Sequence, residues 1–511
     1  MGACGQVVLE EKSEKEAAAV PMASVGAARL RQRIVDAFQL AKRARLVLRL
    51  KPFDASTEQG RSLERYRRIG LTTVSGMTAR AVGSLLGLVT LPLVLSFLGK
   101  ERFGMWALIT TLMAWVALFD LGLANGLVNM LSAAHGRDEK EEASRYLSTA
   151  FAALLAVAGL LALATLLSIG FVPWGSLLGV NAVADEATIR LSVAAALLLF
   201  VFSLPFSVTQ QVYAAYQRTY IWNGFNLVGA ILGFACLVSA IWLRVSMPVL
   251  ILASGVGGWL ATVAAYGYAT RRALPWLRPS LSKVSRTALR GLLSRSVPIF
   301  LYQVGALVVN ETQSILLSHR CDLGTVASYA VGMRLYLVFV AIIQIGTNSF
   351  IPALREAYER GDRDWTAGAF SRLLRMRLAI AAGSGVILIL FGNLLLTLWL
   401  RRTDMNFDRG VWIAMAILMV VAMWSTSYSE LLSIMDRLWV NVGAVLASGT
   451  ATLVLTYYLT HRYQVFGAVV ALAIPATLVA VFLRIVGRRF LASKLGAGSG
   501  GPGPMGAVTP G

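Results

Sequence analysis

Four ionisable side chains stand well inside otherwise apolar stretches of this sequence: Arg80, Asp120, Glu311 and Arg334. A charge near the middle of a bilayer costs about 2.5–3.5 kcal/mol even on insertion scales, so such residues are candidates for function. At about 1.5 Å per residue, Arg80 and Asp120 fall at one inner level of the first two stretches. Glu311 and Arg334 fall nearer the outer ends of the seventh and eighth, about 10 and 12 Å in. Each pair sits on consecutive antiparallel helices, which predicts one Arg80–Asp120 and one Glu311–Arg334 ion pair. Such pairs serve either as staples between neighbouring helices or as a gate, the acids taking and releasing the arginines. Proton or sodium coupling through Asp120 or Glu311 is a third reading, although neither lies in a recognisable ion-site motif. No enzymatic constellation competes with these four. His135, His319 and His461 lack metal-ligand spacing, and Cys4, Cys236 and Cys321 cannot build a disulfide framework. There is no phosphate-cradling glycine loop and no nucleophile elbow, so no catalytic residue, metal or cofactor is expected.

The elements that position these charges are read from apolar length. Of 511 residues, 57% are hydrophobic and 14% charged, and mean hydropathy is +0.67, which excludes a water-soluble globule. A helix needs about 20 apolar residues to cross the hydrocarbon, and twelve stretches qualify. They lie near 75–98, 103–132, 146–172, 189–216, 219–243, 247–270, 296–318, 326–353, 377–399, 411–435, 438–460 and 464–486. Continuous runs such as 152–169 exclude a β-barrel, which would alternate. Gln217, Arg218 and Thr219 read as a tight turn between two spans. The expected fold is an all-α integral membrane protein.

Orientation follows from Lys and Arg. With the N-terminus inside, Lys and Arg crowd the later inner loops and are sparse in the outer ones. The stretch 1–68 is rich in both as well, and 271–296 carries no acid. Both ends are therefore expected in the cytoplasm, in a cell membrane, and the formal charge of +21 is read as facing anionic lipid rather than nucleic acid. Residues 1–70 read as a basic cytoplasmic segment, partly disordered and without a signal peptide; 27–51 suits either a basic helix on the inner leaflet or a solvated tail. Residues 491–511 read as a low-complexity, disordered tail.

The order of features in the first six spans recurs in the last six. Gly104 corresponds to Ala327, after the first and seventh spans, and Gly136 to Gly361, in the next inner loops, at nearly the same offset along the chain. This predicts two six-helix bundles, 71–270 and 296–490, joined by a basic linker at 271–295. An even number of spans relates them by a pseudo-two-fold axis along the membrane normal, enclosing a central cleft.

Two turns carry a resemblance. Phe97-Leu98-Gly99-Lys100-Glu101-Arg102-Phe103-Gly104-Met105-Trp106, followed by Asp120-Leu121-Gly122-Leu123-Ala124-Asn125, resembles the polysaccharide-export, O-antigen-type flippases of the multidrug/oligosaccharidyl-lipid/polysaccharide superfamily, which is MATE-like. Val326-Ala327-Ser328-Tyr329, with Arg334-Leu335, looks like the same family's eighth-helix motif. One departure stands out: where the family often has an Asp late in helix seven, this chain has Glu311, displaced by about two positions.

The resemblance implies a transporter, not an enzyme, that moves a polyprenyl-pyrophosphate-linked oligosaccharide from the inner to the outer leaflet by alternating access. Its partners would be that lipid-linked substrate, membrane lipids, and polysaccharide polymerase and export proteins. Read that way, Arg80 and Arg334 bind the pyrophosphate in turn, because guanidinium suits phosphate oxygens. Asp120 and Glu311 gate or couple, and Gln303 and Asn310 either hydrogen-bond sugar hydroxyls or bridge helices. Glu430, near the end of span ten, reads as reaching the interface. Two alternatives stay open: a cation-coupled multidrug exporter of the same fold, which two intramembrane arginines disfavour, and a membrane glycosyltransferase or polymerase, which lacks the outer acidic loop it would need.

Overall fold

Two single residues break the longest helices. The computed structural model describes residue 53 and residues 57–496, apart from 121, 348 and 349. The basic stretch 27–51, Asn348 and the tail from 497 lie outside the described residues. Helix α1 (Glu58–Val116) has 59 residues, roughly 88 Å at 1.5 Å each, nearly three times the hydrocarbon thickness. It breaks at Gly99, whose φ of 75° is left-handed backbone that glycine adopts without a Cβ penalty. The last helix repeats the device, with Gln464 at φ 44° inside Leu438–Gly496. The expected boundary at 490 thus falls within a helix.

Between them follow α2 (Leu123–Gly136), α3 (Lys140–Phe171), the short α4 (Trp174–Leu178), α5 (Glu186–Ser203), α6 (Val208–Ala215), α7 (Thr219–Trp242) and α8 (Met247–Tyr268). The second half comprises α9 (Arg286–Arg320), α10 (Leu323–Thr347), α11 (Phe350–Glu359), α12 (Arg363–Leu400), α13 (Arg409–Ile434) and α14 (Leu438–Gly496). The described residues form no strand. Among them, nine helices can cross a membrane by length and composition, or ten if the two parts of α9 count as one span. The chain is a multi-pass membrane protein.

The twelve expected spans differ from this count for local reasons. Spans one and two share α1, and spans eleven and twelve share α14. The seventh lies in α9, which bends by 50° between Arg286–Ser294 and Ser296–Arg320. Pro298 explains that bend, having no N–H for the carbonyl of Ser294. Pro205 sits in a 3-10 turn, Leu204–Ser207, that divides α5 from α6. The tight turn at Gln217 is present, with α7 starting at Thr219. The second expected span is not continuous either. After α1 comes a 3-10 turn, Ala117–Asp120, and α2 begins only at Leu123.

The structure divides into two units, Met1–Gly76 and Met77–Gly511. In the first, the Glu64 carboxylate accepts hydrogen bonds from Arg67 (2.7 Å, twice), Arg68 (2.9 Å) and the Phe53 amide (3.1 Å). The Arg67 bond holds the Glu64 carboxyl down at about 2, against the upward push of burial. A depressed carboxyl contributes stability that is complete above its ordinary value of 4.5 and lost as pH falls through about 2. Amide-exchange protection of 58–68 is therefore expected to hold from neutrality to about pH 4.5 and to fade by about pH 2. Glu64→Gln should lower it at neutral pH and remove this acid transition; an unchanged transition would show that another carboxyl governs it.

In the second unit, one core draws on both sequence halves. It packs Leu95, Phe103, Leu108, Ile189 and Leu250 with Val326, Val331, Trp412, Met415 and Val469. These residues lie towards the turns near 99, 321 and 402. Towards the opposite turns two cores stay apart: Leu123, Leu131, Leu147, Tyr216 and Leu292 in one, Leu354, Phe370, Tyr428, Leu432 and Leu483 in the other. The linker is tethered to the first half, since the amides of Ser280 and Ser285 donate to the hydroxyls of Ser148 (3.0 Å) and Thr149 (3.1 Å).

Gly104 marks a close approach at the shared end. A Cβ there would run into the backbone carbonyl oxygen of Leu323. Gly104→Val should therefore force apart α1 and α10, at a cost of about 3 kcal/mol, in the range for overpacking. A lowered unfolding midpoint in detergent checks it; an unchanged midpoint would mean that the helices slide apart freely.

Candidate functional site

Arg334 is exposed on α10, and its guanidinium rests against Gly87 of α1: a Cβ built on Gly87 would lie 2.8 Å from Nη2. Glycine at this position leaves the room that the guanidinium occupies. Arg80 is also exposed, two helical turns before Gly87, so it shares that face of α1 about 10 Å further from the Gly99 turn. The helix is braced at the same level. Pro92 has no N–H for the Leu88 carbonyl, and the Trp399 indole of α12 donates to that carbonyl instead, at 2.7 Å.

Neither expected ion pair forms. Asp120 Oδ1 accepts from the Gly122 amide at 2.8 Å, closing a turn around the left-handed Gly122 (φ 66°), and so serves the break between α1 and α2. Glu311 lies beside Thr111 of α1 and near the buried Tyr329 hydroxyl, which has no hydrogen-bond partner among the described residues. Among the described residues, Arg80 and Arg334 have no ion-pair partner. α2 does not continue α1, so the Asp120 carboxylate is taken up by the turn there, and Glu311 lies beside Thr111 while Arg334 rests against Gly87.

A polar hollow lies in the second half, a cavity of about 540 Å³ walled by α9, α10, α11, α13 and α14. Tyr302, Asn310, Tyr336, Arg355 and Asn441 line it together with a stripe on α13: Ser425, Thr426, Ser429, Glu430 and Ser433. Steps of one, three and four positions put that stripe on one helix face. Of the expected residues, Asn310 is here; its amide nitrogen donates to Ala306 O at 2.6 Å, leaving its oxygen available. Gln303 is not on the wall, and its Oε1 is buried without a partner among the described residues. Asn441 is 2% exposed and donates to Ser429 O and Ser433 Oγ, while its Oδ1 has no partner among the described residues. Orphan acceptors beside hydroxyls suit a ligand or waters carrying O–H groups.

Glu430 does not reach to the interface by itself, contrary to expectation. Arg377 of α12, with a fully buried side chain, pairs with it through both carboxylate oxygens, at 2.5 and 3.3 Å. The same guanidinium donates to Thr347 Oγ1 (2.9 Å) and Ser427 Oγ (3.2 Å). One arginine thus ties α10, α12 and α13 and fixes the carboxylate on the cavity wall. Counting charges by loop hid this pair, because Arg377 falls at the edge of a span and far from Glu430 in sequence. The signal that would have found it is the polar run Ser425–Glu430 within an apolar helix.

At the turn before α10, Asp322 caps the helix, accepting from the Thr325 hydroxyl (2.6 Å) and amide (3.0 Å). These bonds hold its carboxyl below the ordinary carboxylate range.

Comparison with known proteins places this arrangement. The model of a family described as polysaccharide biosynthesis protein matches residues 72–357. The uncharacterized membrane protein EpsK of Bacillus subtilis (strain 168) is 24% identical over 335 residues, 64% of this chain; the match also spans only 64% of that relative's length. A putative O-antigen transporter of Salmonella typhi is 23% identical over 406 residues, 76% of this chain and 89% of that one. Among solved structures, the inward-facing conformation of a multidrug resistance MATE family transporter of the MOP superfamily superposes with a TM-score of 0.65, at 14% identity. It covers 82% of this chain and 96% of that one, which establishes the fold. Matched by the family model over more than half of its length, the chain belongs to the polysaccharide biosynthesis protein family and has the MATE-like fold.

Proposed function

We propose that this protein is a transporter, not an enzyme, that carries a lipid-linked oligosaccharide from the inner to the outer leaflet of the cell membrane. Each arm of α1 and α14 then counts as one crossing, and with the bent α9 the crossings number twelve. They form two six-helix bundles with both chain ends in the cytoplasm. In this reading the shared core closes the outer side, and the separate cores leave a cleft open to the inner side.

One observation carries the proposal: Arg334, deep in the membrane-spanning region, exposes a guanidinium that no carboxylate among the described residues neutralises. An uncompensated charge there is costly and calls for an anionic ligand. A pyrophosphate headgroup supplies one, with oxygens that match the two-pronged guanidinium. Arg80, on the same face of α1, offers a first station nearer the inner side. The hydroxyl-lined cavity beside Asn310 and Asn441 suits a sugar headgroup, whose hydroxyls would each cost several kcal/mol if unpaired in hydrocarbon. The relative named as a putative O-antigen transporter supports the same cargo class. The flipped unit would pass to polymerase and export proteins at the outer face. Drug export on the same fold fits less well, because the unneutralised charges are cationic.

The test is the sidedness of the lipid-linked intermediate in cells lacking the protein. Accumulation on the inner leaflet, relieved by the wild type and not by a well-expressed Arg334→Ala variant, is the expected result. Normal outward appearance without the protein, in cells with no second flippase, would overturn the proposal.

A further inference from the structure

A second hollow, of about 410 Å³, lies between the two arms of α14. Trp439, Gly443, Ala447 and Ala451 recur at every fourth position on the first arm and form a stripe about 18 Å long. Three of those four side chains are small, so the stripe is a trough, and a Cβ on Gly443 would meet nothing within 4 Å. Leu478 and Phe482 of the second arm form the facing wall. Among the described residues, no charged side chain lines it.

The trough adjoins the polar cavity. Ala444, Ser448 and Val479 line both. The two hollows therefore lie back to back, parted at these three residues by uncharged side chains.

We propose that the trough between the arms of α14 seats the isoprenoid chain of the lipid-linked substrate while the headgroup occupies the cavity. This rests on the transport reading above. An isoprenoid carries a methyl branch at every fourth carbon and is thicker than a straight acyl chain. A wall of Gly443, Ala447 and Ala451 provides that width. The chain then follows the headgroup as a held ligand rather than trailing in bulk lipid.

The test uses the full-length protein in phosphatidylethanolamine/phosphatidylglycerol nanodiscs and undecaprenyl phosphate bearing a photoreactive group on its chain. Adducts are expected on 439–451 and 475–482. An excess of unlabelled undecaprenyl phosphate should compete them away, and the same excess of dioleoylphosphatidylglycerol should not. Gly443→Trp should cut the adduct yield about tenfold at an unchanged unfolding midpoint, filling space that is open in the structure. Should that variant be poorly produced, Ala447→Leu should act in the same direction, about threefold. Equal competition by the phospholipid, or no adduct on α14, would overturn the proposal. Labelling of the trough together with normal outward transport in cells lacking the protein would leave the isoprenoid site standing and remove the flipping reading alone.

Discussion

Replacing Arg377 by Leu is expected to destabilise the protein by about 3–5 kcal/mol, because it strands a carboxylate that has no other ion-pair partner among the described residues. Arg377 is fully buried, and its guanidinium makes bonds to Glu430, Thr347 and Ser427. The mutation thus unties α10 and α12 from α13 at one stroke. The companion measurement separates the two contributions. In Arg377→Leu/Glu430→Leu no charge is left uncompensated, so much of the loss should return, as replacing both members of a buried pair is often near neutral. Transport need not return with it, since Glu430 lines the cavity. Unfolding in detergent, compared across the two single variants and the double, gives the coupling energy. Equal destabilisation of Arg377→Leu and the double variant would mean that the hydrogen bonds to Thr347 and Ser427, not the ion pair, carry the stability.

Arg334→Ala is expected to leave the fold intact and to reduce transport about thirtyfold or more. The side chain is exposed, rests against Gly87 of α1, and has no ion-pair partner among the described residues, so little stability depends on it. A charge-assisted hydrogen bond to a phosphate oxygen contributes about 1.5–3 kcal/mol, and a factor of ten corresponds to about 1.4 kcal/mol. Arg334→Lys should retain part of the activity, since the charge stays and the two-pronged geometry goes. Arg80→Ala should have a smaller effect, because Arg80 lies about 10 Å nearer the end of the helix. The measurement is the rate at which the lipid-linked intermediate appears on the outer leaflet at matched expression. Equal rates for Arg334→Ala and wild type would reduce Arg334 to a packing residue against Gly87.

Much of this protein was legible before any coordinates. Apolar length is a local property, set by the cost of exposing backbone and polar groups to hydrocarbon, so the all-helical membrane class follows from composition and run length alone. The break between the first two stretches was legible because its cause is local: Gly99-Lys100-Glu101-Arg102 interrupts the apolar run.

What tertiary structure decided is which side chains meet. Asp120 and Arg80 are expected at similar depth, yet the carboxylate turns to the Gly122 amide because the helix stops there. Arg377 finds the sequence-distant Glu430 because α12 packs beside α13, and no local pattern encodes that neighbour. The cavity and the trough of α14 likewise exist only between helices. Their walls are set by how each helix is rotated about its axis, and that rotation is fixed by packing against all its neighbours together.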